Sequence, residues 1–103
     1  KTKNAEMAQV SWTEQALDDV AATCEFIARD SFRYAQLFAD RVFTAAGRLE
    51  ISPRLGRVVP EFGRDDIREI LLGNYRIVYR VFPHKVEILT VYHGARLLDL
   101  TRI

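Results

Sequence analysis

The stretch LLGNYRIVYRV, residues 71–81, sets Arg76 and Arg80 on alternate positions of an otherwise apolar segment. A guanidinium in a strand of a small domain is costly unless it reaches water or a partner. Four residues apart in an element of period two, the two arginines share a face. Such a pair can recognise acids, because a guanidinium binds carboxylate or phosphate through two parallel hydrogen bonds. Other chemistry-bearing residues are sparse. Cys24 sits in a helical register, which points to a small buried hydrophobe rather than a reactive thiol. His84 lies in a turn and is expected to be solvated, and His93 closes a strand. Two histidines and one cysteine have no metal-ligand spacing. There is no P-loop, dinucleotide fingerprint or Ser/His/Asp order, and no cofactor is implied.

The elements that position these residues must fit in 103 residues, ordinary for one domain. With 49% hydrophobic and 28% charged residues, the chain can fold around a core. So short a domain has little area for a large internal cavity, so any site is expected in a surface groove. A single cysteine excludes an intramolecular disulfide and suits a reducing, cytoplasmic setting. No apolar run approaches the roughly 18 residues of a membrane span, and no secretory signal is visible. Residues 1–7 are expected to be a disordered or expression-derived extension, with residues 8–103 the domain. Net charge is +1 but uneven. Residues 1–40 carry four basic and seven acidic side chains; residues 41–103 carry eleven and seven. That mild basic excess is weak beside the stripe of a nucleic-acid binder.

Residues 8–12, AQVSW, alternate and read as a short strand. Thr13 then caps a helix with Glu14 in its first turn. Leu17, Val20, Cys24 and Ile27 form its apolar stripe to about Arg29. Ser31 caps a second helix, striped by Tyr34, Phe38, Val42, Ala45 and Leu49 and broadened by Leu37, Phe43 and Ala46. The short turn between them predicts an antiparallel helical hairpin. Residues 51–66, with two of the three prolines and two of the five glycines, read as a loop crossing the domain. The period then changes to two. IREILL, YRIVYRVF and KVEILTVYH are joined by Gly73-Asn74 and Pro83-His84, which makes a three-stranded meander. The tail ARLLDLTRI is expected to add an edge strand or pack as an arm.

Two-residue turns set the register. They pair Leu71 with Arg76, Glu69 with Val78, Arg80 with Glu87, and Val78 with Leu89. One face then carries Ile67, Glu69, Leu71, Arg76, Val78, Arg80, Phe82, Glu87, Leu89, Val91 and His93. The other carries Ile70, Leu72, Tyr75, Ile77, Tyr79, Val81, Val86, Ile88, Thr90 and Tyr92, and is the expected seat of the helices. The first face is expected to be open, with Glu87 partly neutralising Arg80.

Residues 67–81, IREILLGNYRIVYRV, followed by VEILTVYHGAR and preceded by LGRVVPEFG, resemble the RelE/ParE superfamily of bacterial toxins, and most closely its ParE branch. The resemblance runs from Val10 to Leu98. It implies an α+β fold with a short N-terminal strand, an antiparallel helix pair on one sheet face, and a C-terminal antiparallel meander. It also implies the toxin half of a type II toxin–antitoxin module, silenced as a hetero-oligomer by a cognate ParD-like antitoxin.

Within the superfamily this chain resembles, RelE-like members are metal-free, ribosome-dependent mRNA endonucleases, which need clustered cations or a Glu/His pair. ParE-like members poison DNA gyrase by protein–protein binding. Arg76 matches an arginine of both branches. Ile67 and Glu69 stand where the nucleases carry lysines, and the terminal tyrosine is missing. His93 matches a YoeB-like histidine and Glu61 a YoeB-like glutamate, but Gly94 stands in place of the tyrosine that comes next there. A ParE-like toxin is therefore expected, with no catalytic set, no membrane contact and no sequence-specific nucleic-acid binding of its own. The alternative is a nuclease using Arg76, His93 and Glu61. The expected antitoxin surface is Glu69, Arg76, Val78, Arg80, Phe82, Leu89 and Val91, apolar ground with charged handles for an amphipathic segment.

Overall fold

The computed structural model describes residues 7–94. Residues 1–6 of the expected extension and the strand or arm expected over residues 95–103 lie outside the described residues.

Strand β1 (Gln9–Trp12) leads through Thr13 into helix α1 (Glu14–Ala28). Thr13 Oγ1 accepts the Ala16 amide at 3.0 Å and donates to the Leu89 carbonyl at 3.0 Å, so one hydroxyl caps the helix and ties it to the sheet. Ser31 caps α2 (Phe32–Gly47) by accepting the Tyr34 amide at 3.1 Å. A 3-10 turn (Arg48–Glu50) comes next. The loop contains a short strand, β2 (Arg57–Val58), before β3 (Ile67–Leu72), β4 (Tyr75–Phe82) and β5 (Lys85–His93). The meander therefore forms as expected, within a larger mixed sheet of five strands in the order β1-β5-β4-β3-β2. β1 lies parallel to β5 at one edge, and β2 pairs antiparallel with β3 at the other. Gly73 takes φ +57° in the β3–β4 turn, the left-handed conformation that glycine adopts without steric cost.

The α1–α2 hairpin covers one sheet face. Its main core joins Ala16, Val20, Phe38, Val42 and Leu49 to Ile77, Tyr79, Val86 and Ile88. The expected helix stripes hold at Val20, Phe38, Val42, Ala45, Ala46 and Leu49, which are buried, and at Cys24 and Ile27, which pack partly buried against the same core. Leu17, Tyr34, Leu37 and Phe43 are exposed instead, and Ala16 and Ala35, which the stripes omitted, are buried.

The other sheet face is not open. A turn over Val59–Gly63 folds across it, with the Phe62 and Gly63 amides donating to the Val59 carbonyl at 3.2 and 3.0 Å. Val59, Ile67, Val78 and Tyr92 form a second core there, flanked by Phe62 and Leu89. Val78 is fully buried, and Glu69 and Arg76 are buried with it. The loop has enough hydrophobic residues to form a layer of its own, which its lack of periodicity concealed.

The register holds for Leu71↔Arg76, Glu69↔Val78 and Arg80↔Glu87 but fails for Val78, which pairs with Thr90 instead of Leu89. Leu89 is an extra residue between the partners of Val78 and Tyr79. Such a bulge reverses the facing of the residues beyond it. Val91, expected on the first face, lies in the main core, whereas Tyr92, expected under the helices, lies in the second. His93, also expected on the first face, meets Tyr75 edge-on at 5.2 Å, and Tyr75 in turn packs on Phe38 at 4.9 Å.

Candidate functional site

Glu69 and Arg76 are diagonal neighbours on β3 and β4, because Glu69 pairs with Val78 and Leu71 with Arg76. The Glu69 side chain is fully buried, which an ionised carboxylate tolerates only with its oxygens satisfied. Oε1 accepts Arg76 Nε at 2.6 Å, and Oε2 accepts Arg57 Nε at 2.7 Å. Glu61 comes from the turn above. Its two oxygens accept Arg76 Nη1 and Nη2, both at 2.8 Å. Arg76 is thus held by three charge-assisted bonds, two of them bidentate. Two arginines and two glutamates close the cluster at zero net charge.

The Arg76 guanidinium lowers the Glu61 pKa from an ordinary 4.5 to about 2, overriding the opposing effect of burial. The same pairing, led by Glu61, raises the Arg76 pKa further still.

A groove of about 670 Å³ opens beside the cluster, lined among others by Arg57, Glu61, Tyr75, Arg76, His93 and Gly94. It brings together the three residues of the nuclease alternative: Arg76, Glu61 and His93. The expected antitoxin surface is divided. Glu69, Arg76, Val78 and Val91 are buried, while Arg80, Phe82 and Leu89 are partly exposed. Arg80 does sit opposite Glu87 in the register, but its Nε pairs with Asp66 at 3.1 Å. Its guanidinium lies 4.6 Å from the centre of the Phe82 ring, and Lys85 Nζ lies 5.3 Å from the same ring.

Loop residues that the sequence did not single out complete the site. Arg57 pairs with Glu69. Asp65 binds Arg68 at 2.7 Å and also pairs with Arg54. Arg64 binds Asp66 at 2.7 Å. These last pairs are exposed and each contributes little on its own. The alternation of arginine and aspartate in GRDDIRE was the available signal, but without periodicity it named no partners. Gly56 is required by a close approach, since a Cβ there would sit 2.4 Å from the Glu69 carbonyl oxygen. The Gly56 amide donates to the buried Tyr79 hydroxyl at 2.8 Å, which tethers the loop to the main core.

Cys24 is partly buried with its thiol on the Ala35 carbonyl at 3.6 Å, and burial raises its pKa. Among the described residues, no cluster of three or more His, Cys, Asp or Glu could hold a metal ion. No helix among them is long and apolar enough to cross a membrane.

The helical hairpin seated on a β-meander, with Arg76 on its central strand, is the arrangement that the RelE/ParE resemblance implied. The chain belongs to the ParE toxin family of type II toxin–antitoxin systems, whose family model matches residues 10–98. It is 38% identical over 92 residues to Toxin RelE2 of Caulobacter vibrioides, covering 88% of this chain and 100% of that one. Its fold is similar to the chromosomal ParDE toxin–antitoxin system of P. aeruginosa, with a TM-score of 0.71 and 18% identity over 85% of this chain and 97% of that one. It is also similar to the RelBE2 toxin–antitoxin complex of Mycobacterium tuberculosis, with a TM-score of 0.53 and 25% identity over 84% and 98% of the two chains.

Proposed function

We propose that this toxin acts by binding DNA gyrase, without chemistry of its own, and that a ParD-like antitoxin neutralises it. The observation that carries this reading is the commitment of Arg76 to two carboxylates. A metal-free nuclease needs cations directed at the scissile phosphate and a base titrating near its working pH. Here the arginine is neutralised, Glu61 is a weak base with a pKa of about 2, and Ile67 and Glu69 stand where lysines would be needed.

Likeness to the RelBE2 toxin–antitoxin complex and to the ParDE toxin–antitoxin system supports an antitoxin partner and a hetero-oligomer. Arg80, Phe82 and Leu89 are the members of the expected surface that can meet it directly. The protein is proposed to act in the cytoplasm, without cofactor.

The second reading, an mRNA endonuclease, is favoured by the convergence of Arg76, Glu61 and His93 on one groove and by likeness to a relative named RelE2. Purified toxin is incubated with gyrase and supercoiled DNA, and in parallel with a translation reaction. Gyrase-dependent double-strand breaks with intact mRNA are expected. Codon-dependent mRNA cuts that disappear in His93→Ala would replace the gyrase reading with the nuclease one.

A further inference from the structure

We propose that Glu61 is an internal occupant of an oxyanion site, and that with its carboxylate turned away Arg76 binds a carboxylate or phosphate entering through the groove. The two glutamates on Arg76 are not equivalent. Glu69 is fully buried, is shared with Arg57 and fixes the guanidinium from behind through Nε. Glu61 is 29% exposed and binds the outer fork, Nη1 and Nη2, as a bidentate ligand would.

The backbone bearing Glu61 is anchored by buried Val59 and by the Phe62 and Gly63 amides on the Val59 carbonyl. Release therefore needs only rotation of the Glu61 side chain. With Glu61 withdrawn, Arg57 and Arg76 face Glu69 alone, and the cluster carries one net positive charge. The groove of about 670 Å³ admits a small anion or an anionic group of a larger molecule.

An internal ligand lowers apparent affinity in proportion to the fraction of molecules in which the site is open. Native protein is therefore expected to bind anions poorly, and removing the internal ligand should restore binding. This rests on the same Arg76–Glu61 pair as the gyrase reading, but anion binding tests the pair and the gyrase assay tests the target, so the two can fail separately.

The test uses Glu61→Gln, which keeps shape and loses charge, beside Glu87→Gln, which changes net charge equally but leaves Arg76 paired. Each protein is titrated with sodium acetate and with inorganic phosphate at constant ionic strength, following the Arg76 Nε–H resonance by NMR. Glu61→Gln is expected to bind at least about tenfold tighter than native protein, and Glu87→Gln no tighter. Tighter phosphate binding assigns the site to phosphate groups, and equal or tighter acetate binding to carboxylates. No gain in Glu61→Gln, or an equal gain in Glu87→Gln, overturns the proposal. If Glu61→Gln fails to fold, Glu61→Asp serves, since it withdraws the carboxylate by one methylene, and an unchanged affinity there overturns the proposal too.

Discussion

Asp19 of α1 accepts the Val91 amide of β5 at 3.2 Å, and the same oxygen accepts the Thr90 hydroxyl. Gln15, one turn earlier, donates to the other Asp19 oxygen at 2.7 Å. One helical carboxylate thus satisfies donors that lie just beyond the bulge at Leu89. Thr90 is buried, so a lost acceptor there is not replaced by bulk water. Asp19→Ala should destabilise the toxin by about 1–3 kcal/mol for the donors it strands, with Asp19→Asn costing less because its amide keeps one acceptor oxygen. Urea titrations of the three proteins measure the order.

Arg76→Ala is expected to cost about 3–5 kcal/mol, because it leaves fully buried Glu69 with Arg57 alone. That is a large share of the roughly 5–15 kcal/mol that holds a domain together. Loss of toxicity in this variant therefore has to be read against its folded fraction, measured by circular dichroism at the assay temperature.

Stability should fall in acid on account of Glu61. Its folded pKa of about 2 lies below its ordinary 4.5, so ionised Glu61 stabilises the fold fully above that ordinary value. The contribution is lost as pH drops from about 4.5 towards 2. Asp65 and Asp66 are lowered in the same direction by Arg68 and Arg64; Asp65 is exposed and matters less, and Asp66 adds to the acid limb. Glu61→Gln should be less stable than native protein at neutral pH and should have a flatter acid limb. Thermal melts from pH 7 to pH 2 give both, and parallel curves would refute the assignment to Glu61.

Ile77→Ala should cost about 2–5 kcal/mol, since Ile77 is fully buried under the helices. Val78→Ala, one residue on, should cost about 2 kcal/mol in the free toxin, because Val59, Ile67 and Tyr92 enclose it. An open sheet face would have made Val78 nearly neutral. Denaturant midpoints of the isolated toxin decide between these outcomes.

Arg80→Glu should weaken the antitoxin complex by about 2 kcal/mol or more, mostly through faster dissociation, if Arg80 meets an antitoxin acid in a partly buried pair. The substitution also sets a carboxylate beside Asp66, so the stability of the free toxin is measured in parallel. A dissociation constant unchanged within about twofold would reduce Arg80 to a solubilising role.

Local chemistry in the sequence was enough to determine the helices, the meander and its turns. Thr13 and Ser31 cap where side chains of their type accept orphan amides, and Gly73 turns where φ must be positive. The change of period from 3.6 to two is written in the spacing of apolar residues, and the family resemblance rests on the same strands. Tertiary structure alone decided three things. It added Leu89 as an unpaired residue, which reversed the facing of Val91 and Tyr92, because a bulge depends on acceptors such as Asp19 brought 72 positions along the chain to Val91. It folded Val59 and Phe62 over the second sheet face, because an aperiodic loop carries no signal of which surface it covers. It also brought Glu61 onto Arg76 and Arg57 onto Glu69. Charges 15 and 12 positions apart in sequence pair only when the fold juxtaposes them, and here that pairing turned an arginine expected in the open into the buried centre of a neutral cluster.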